Sequence, residues 1–388
     1  MPSYHRLGQI PPKRHTQFRK PDGGLYAEEL FGTEGFSGNY SIIYYTYPPT
    51  RVKKVARFPV EQYAHKEWDE RLQRHHHLKT AQLSRSGDAV LGRQTLMYNN
   101  DVVLAVAKPT QAMDYFYRDG DSDLVYFVHD GQGVLESTFG LLPYHEGDYL
   151  VIPRGTTFRF THDASNTENT FLVIEARGAI APPHRYLNHN GQFLEHSPYC
   201  DRDIRRPQEL VTHTESGEFE VRLKVGHTLT SYWYDFHPFN AVGWDGHEYP
   251  YALNIADFEP ITGRVHQPPP VHQTFQGPNF VICSFVPRKL DYHPLSIPVP
   301  YNHSNIDSEE MIYYVNGNFG SRRGIERASV TLHPRGIPHG PHPGAVEKSL
   351  GVERTEELAV MVDTFHPLKL TTHAQRVDDA GYPYSWIE

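Results

Sequence analysis

Two short stretches carry side chains whose types and spacing can do metal chemistry. Residues 300–317, PYNHSNIDSEEMIYYVNG, offer His303, then acidic residues, then a β-rich run closed by glycine. Residues 333–340, HPRGIPHG, offer two histidines around a Pro-Arg-Gly turn. Two neutral imidazoles and one carboxylate on one side of an ion make the facial triad of non-heme Fe(II) oxygenases, which leaves the opposite positions for substrate and O2. The candidate ligands are His303, at the start of a strand, Glu310 and His339. Glu310 precedes the β-prone run 311–315 and stands seven residues before Gly317, which makes the turn. Glu309 is the rival, because neighbouring strand residues face opposite ways and only one can point inward. The spacing to Gly317 favours Glu310. The ligand set suits Fe(II), and Mn, Co, Ni or Zn could bind the same groups.

Such residues meet only if strands distant in sequence bring them to one lumen, as a β-barrel does. The E-x6-G spacing, with an upstream histidine and a downstream PxGxxH, resembles the cupin metal-site pattern. The chain supplies many short β-rich runs punctuated by Gly, Pro, Asp or Asn: VVLAVAKP, LVYFVHDG, DYLVIPRG and TFLVIEARG first, then FEVRLKVG, YALNIADF, FVICSFVP, MIYYVNGNFG, SVTLHP and LAVMVDTF. Strands of this length and spacing predict a sandwich or barrel. Residues 1–57 read as an extended arm with one or two strands, and residues 60–80 as an amphipathic helix ending in a solvated run, His75, His76 and His77. Residues 178–210 read as a connecting segment.

An internal repeat organises the rest. DSDLVYFVHDGQG (121–133) parallels SEEMIYYVNGNFG (308–320), and DYLVIPRGTTF (148–158) parallels SVTLHPRGIPH (329–339). Superimposing them sets Asp123 on Glu310, Phe116 on His303, Ile152 on His333 and Phe158 on His339. The expected architecture is all-β dominated: two cupin-like jelly-roll β-barrel halves, a bicupin, with an N-terminal arm and few helices. Residues 1–200 would hold the arm, the helix and a degenerate, metal-free barrel, and residues 201–388 the barrel with the metal site.

Composition narrows the function. A chain of 388 residues is long enough for two cores, and a net charge of −9 with no basic tract argues against nucleic acid as a partner. No run of eighteen apolar residues predicts a membrane span, and the polar N-terminus lacks a signal peptide's apolar segment. Two cysteines are too few for a disulfide framework and fit a reducing cytoplasm.

The stretches GLYAEELFG (24–32), VIPRGTTF (151–158), FNAVGWDGHEYPY (239–251), PYNHSNIDSEE (300–310) and HPRGIPHGPHPGAVEKS (333–349) resemble the homogentisate 1,2-dioxygenase family in its bacterial form. The resemblance runs over most of the chain. It implies a two-part cupin fold, a mononuclear Fe(II), O2-dependent opening of a dihydroxylated aromatic acid (homogentisate to maleylacetoacetate), and a homo-oligomer, trimer or hexamer. The iron ligands fall on His303, Glu310 and His339, although the family's usual six-residue step from histidine to glutamate would select Glu309. Tyr301 matches the family's tyrosine two residues before the first ligand, and His333 its active-site histidine. Two positions depart from the pattern. Asp245 stands where the family has a histidine that acts as base or holds the substrate hydroxyl, with His247 two residues on. Phe319 stands where the family has a tyrosine that binds the substrate carboxylate.

The chemistry therefore requires a base for a phenolic proton, with His333, Asp245 and His247 as candidates, and substrate contacts at Tyr301 and Phe319. The two departures leave open a metal-dependent cupin that acts on a different aromatic substrate. A non-enzymatic cupin that binds a small molecule is the remaining class.

Overall fold

The computed structural model describes residues 3–59, 65–161, 168–317, 319, 322 and 324–387. The β-prone runs become strands, as expected. Val102–Ala107, Asp123–Asp130, Asp148–Ile152 and Thr170–Ala176 are neighbours in an eight-stranded sheet, and a seven-stranded sheet faces it. Even-numbered residues of Asp123–Asp130 point between these sheets, where Leu124, Tyr126 and Val128 join Leu150, Ile152, Phe158 and Phe160 in one buried cluster. This is the interior of the first barrel.

A six-stranded sheet carries the second half, in the order Gln273–Gly277, Phe280–Phe285, Leu358–Thr364, Glu309–Asn316, Ser329–His333, His76–Lys79. Odd residues Met311, Tyr313 and Val315 enter a core shared with Val125, Phe127 and Tyr149 of the first half. Even residues Ile312 and Tyr314 point the other way, into a second interior with Cys283, Ala359, Met361 and Phe319. Alternation therefore places Glu310 inside this barrel and Glu309 outside it. Gly317 turns the chain at the end of its strand with φ +101°. A Cβ there would lie 2.0 Å from the Glu356 carbonyl oxygen, so only glycine fits.

Three expectations need correction. First, residues 65–75 form no helix, and residues 60–64, its expected first turn, lie outside the described residues. His76–Lys79 is instead the edge strand of the second barrel. His75, His76 and His77 are buried (7%, 2% and 2% exposed). His76 Nδ1 meets Asp378 Oδ1 at 3.1 Å and His77 Nε2 meets Ser329 Oγ at 2.8 Å, so the sheet gives these imidazoles partners inside the protein.

Second, the sheets do not part at residue 200. Ser216–Val225, Thr228–Phe236 and Tyr251–Asn254 complete the first barrel's sheets, while His76–Lys79 crosses to the second. The N-terminal arm also carries more than two strands: Ala27–Gly32 pairs with Tyr40–Tyr45, and Ala241–Gly246 lies between Tyr40–Tyr45 and His5–Gly8 in a four-stranded sheet.

Third, the repeat superimposes one residue differently at two positions. Glu310 lies opposite His333, and in the first barrel Leu124 lies opposite Ile152. His303 bridges His339, and Tyr117 pairs with Phe158. Pairing register thus matches Leu124 to Glu310 and Tyr117 to His303. Asp123 corresponds to Glu309: the Pro-Arg-Gly arginine holds both carboxylates, with Arg154 Nε 2.9 Å from Asp123 Oδ1 and Arg335 Nε 4.0 Å from Glu309 Oε1.

Candidate metal centre

His303, Glu310 and His339 converge at one end of the second barrel, their ligand atoms within 4.8 Å of one another. Backbone pairing does much of the positioning. His303 N donates to His339 O at 2.8 Å and His339 N to His303 O at 2.9 Å, so two of the three side chains leave one isolated β-bridge rather than the start of a strand. The third comes from the inward face of Glu309–Asn316. Glu310 Oε2 lies 3.8 Å from His303 Nε2 and Oε1 lies 3.4 Å from His339 Nε2. Glu309 takes no part: its Oε2 accepts a hydrogen bond from Leu368 N at 2.7 Å on the opposite face.

Hydrogen bonds set the tautomers. His303 Nδ1 faces the Tyr301 carbonyl oxygen at 3.2 Å and His339 Nδ1 the Ile337 carbonyl oxygen at 3.4 Å. A carbonyl can only accept, so each Nδ1 carries the proton and each Nε2 lone pair faces the centre. His339 Nε2 is buried with no hydrogen-bond partner. A buried imidazole nitrogen without a hydrogen bond is costly unless something else takes its lone pair. Two inward Nε2 lone pairs and a carboxylate, with no thiolate, fit a divalent first-row metal.

His333 stands behind this set. It is fully buried and stacks on His339 at 4.3 Å between ring centres. Arg322 Nη1 donates to His333 Nε2 at 2.6 Å, so the proton sits on Nδ1, which donates to Glu310 Oε1 at 2.7 Å. Both His333 nitrogens are thereby committed to protein partners. Its place is that of a residue that orients Glu310, and no lone pair remains for a substrate proton. Burial would raise the Glu310 carboxyl, but its contacts with His303, His333 and His339 hold it well below the usual carboxylate range. Burial and the Arg322 charge push His333 well below its ordinary value. Glu310 is thus held as an ionised carboxylate beside a neutral His333, the carboxylate state a metal requires.

Asp245 and His247 do not join the centre. They belong to the four-stranded sheet, where Asp245 Oδ2 accepts from Tyr4 Oη at 3.0 Å and exposed His247 bonds through its backbone N–H to Tyr40 O at 2.9 Å. The glycines of that loop serve strand pairing: a Cβ on Gly243 would lie 2.0 Å from the Gln9 carbonyl oxygen. Tyr301 is beside the centre, 57% exposed, its ring 6.1 Å from that of His303. Phe319 packs against Tyr314 at 4.8 Å in the apolar interior, and its carbonyl accepts from Arg322 N in the turn that returns Arg322 to His333.

Sequence reasoning missed four contributors. Arg322 carries no spacing signal in the sequence. His75 comes from the first half of the chain, its ring 5.3 Å from His333 and 5.9 Å from His339. Tyr382 Oη lies 3.4 Å from both Arg322 Nη1 and His333 Nε2. Asp363 pairs opposite Glu310, and burial and the Glu310 charge push its carboxyl up to about 8. A carboxylate within the apolar run LAVMVDTF was the one visible signal.

Residues 4–255 match the family model described as homogentisate 1,2-dioxygenase N-terminal. A Saccharolobus solfataricus protein named "Putative dioxygenase" is 44% identical over 386 residues, covering 99% of this chain and 98% of that protein. Homogentisate 1,2-dioxygenases of Bradyrhizobium diazoefficiens and Arabidopsis thaliana are 25% and 27% identical over 68% of this chain. The chain spans 60% and 55% of their lengths. Among solved structures, a cupin 2 conserved barrel domain protein from Leptotrichia buccalis is similar at 10% identity and TM-score 0.33, covering 75% of this chain and 96% of that one. That likeness is too distant to carry an argument. Sequence, by contrast, is decisive: the chain belongs to the homogentisate 1,2-dioxygenase family.

Proposed function

We propose that the chain is an Fe(II)-dependent dioxygenase that opens a hydroquinone-type ring with O2. The observation that carries the reading is the convergence of two Nε2 lone pairs and one ionised carboxylate, with His339 Nε2 buried and free of hydrogen bonds. Family membership supports the reaction class.

A bound ferrous ion would let triplet O2 react with a singlet ring and would lower the pKa of a ring hydroxyl placed on it. His303, Glu310 and His339 would hold the ion from one side, leaving the rest to substrate and O2. Arg322 and His333 fix the Glu310 carboxylate, so little reorientation is needed when substrate binds. Ile312, Tyr314, Met361 and Phe319 keep water from the interior beyond it. The ring supplies all four electrons. The bond between a hydroxyl-bearing carbon and its neighbour breaks, and each carbon gains one atom of O2. The first becomes a carboxylic acid and the second a carbonyl, so no external reductant is required.

The same reading makes the chain a homo-oligomer, which size-exclusion chromatography with light scattering tests. The activity test is oxygen uptake by protein reconstituted anaerobically with Fe(II), on homogentisate, gentisate and substituted hydroquinones. Uptake that disappears in His339→Ala is the expected result. No uptake on any ring, from protein holding stoichiometric iron, would sink the reading.

A further inference from the structure

A cleft of about 320 Å³ lies apart from the metal centre, where the C-terminal segment crosses the first barrel. Lys369–Leu370 pairs with Arg93–Tyr98 at the edge of the eight-stranded sheet. The turn that follows is pinned to the same strand, with Thr371 N donating to Leu96 O at 3.0 Å and Thr371 Oγ1 to Thr95 O at 2.5 Å. Lys66 is brought alongside through its own backbone, since Thr372 N donates to Lys66 O at 2.8 Å. The cleft is bounded by Lys66, Arg93, Thr95, Thr372, His373 and Arg376. None of His303, Glu310 and His339 is among its described lining residues.

The protein uses only part of the positive charge around this cleft. Arg93 is committed: its Nη1 lies 3.6 Å from Glu175 Oε2, and its Nε donates to Val90 O at 2.9 Å. Lys66 and Arg376 are exposed, and among the described residues neither side chain has an ion-pair or hydrogen-bond partner. Glu67, the acid next in sequence to Lys66, is taken by Lys369 Nζ at 3.0 Å. His373 Nδ1 is buried and also has no hydrogen-bond partner. Burial, and then the Arg376 and Lys66 charges, hold this imidazole below its ordinary pKa, so both cations act on the same ring. Two like charges kept together beside a buried nitrogen that lacks a partner cost free energy unless a ligand supplies the missing acceptor. The ammonium is a compact point charge and the guanidinium a planar fork, a pair suited to the oxygens of a phosphate or carboxylate group.

We propose that this cleft binds a small oxyanion, a phosphate or carboxylate group, held by Lys66 and Arg376 with His373 Nδ1–H as the third donor. The volume is at the small end of the range for ligand pockets. The site does not depend on the dioxygenase reading. Its occupancy would tie Lys66 to the turn that carries His373 and Arg376, and would stabilise the fold by mass action.

The test is equilibrium dialysis of the Fe(II)-loaded full chain, anaerobically and at constant ionic strength, against labelled inorganic phosphate and, separately, labelled succinate. One equivalent per chain of at least one of them is expected. Its affinity should weaken about tenfold or more in Lys66→Gln and in Arg376→Gln, the size of a lost charge-assisted hydrogen bond. Both side chains are exposed, so the variants should keep the fold. His339→Ala should bind the anion as the wild type does, which separates this site from an anion on the iron. Phosphate alone, succinate alone, or competition between the two would each support the site and identify its ligand as phosphoryl, carboxylate or either. No saturable binding of either anion up to about 10 mM would overturn the inference and leave the dioxygenase reading intact. So would binding that survives both substitutions, or that is lost in His339→Ala.

Discussion

The two barrels use one scaffold for opposite purposes. Matched by strand register, Tyr117, Leu124, Ile152 and Phe158 of the first barrel occupy the positions of His303, Glu310, His333 and His339 in the second. The first four belong to one buried apolar cluster, with Tyr117 edge-on to Phe158 at 5.5 Å. The second four make a polar centre held by Arg322. Around both, the frame is conserved within the chain: the Pro-Arg-Gly arginine pairs with Asp123 in one barrel and Glu309 in the other. Glu175 lies opposite Leu124 as Asp363 lies opposite Glu310. The first barrel's own carboxylate cluster, Asp119, Asp121 and Glu175, is met by three cations: Lys224 Nζ lies 3.3 Å from Asp119, Arg177 Nη1 2.5 Å from Asp121 and Arg93 Nη1 3.6 Å from Glu175. The difference teaches that the scaffold packs well with apolar side chains at these positions. Imidazoles and a carboxylate there are therefore retained for something other than stability.

Exchanging the residues tests this most severely. Glu310→Leu with His339→Phe writes the first barrel's pair into the second. Iron binding and oxygen uptake should fall to background. The metal-free protein should stay folded and lose about 3–5 kcal/mol by urea unfolding, because the change leaves the Arg322 charge and the His333 Nδ1–H buried without the Glu310 carboxylate. Loss of fold along with iron would break the comparison. The reverse change, Leu124→Glu, places a carboxylate among Tyr117, Ile152 and Phe158 without partners. It should cost about 3–5 kcal/mol in the same measurement and create no metal site.

Smaller effects separate the layers of the second barrel. Arg322→Met or His333→Ala should weaken Fe(II) affinity about 10- to 100-fold by competition with a chelator, while leaving the stoichiometry at saturating metal unchanged. Glu309→Gln should keep full affinity and lose about 1–2 kcal/mol of stability, as should Asp123→Asn, since each carboxylate serves the turn arginine. Asp245→Ala and His247→Ala should change oxygen uptake less than twofold and stability by less than about 1 kcal/mol. A large loss of uptake there would show that a neighbouring copy brings this loop to the centre.

Much of this was legible in the sequence because it depends on period and register. The strands, the duplicated design and the choice of Glu310 over Glu309 follow from alternation and from the glycine at position 317, whose backbone no other residue could adopt. What escaped depends on contacts between distant segments. The His75–His77 run looked solvated because three consecutive imidazoles carry no period, yet Asp378 and Ser329, far along the chain, supply partners that draw them inside. Residue similarity sets acid on acid, Asp123 on Glu310. Hydrogen-bond register shows the acid follows the turn arginine instead. The loop of Asp245 and His247 matches the family in sequence, and here it is tied into the N-terminal sheet through close glycine pairing.

The most direct test of the central claim is an anaerobic Fe(II) binding titration on the full chain and on His339→Ala, read by metal stoichiometry after gel filtration. One equivalent per chain, lost in the variant, is predicted: a single site, in the second barrel. Two equivalents, or one that survives His339→Ala, would contradict it and move the metal away from His303, Glu310 and His339.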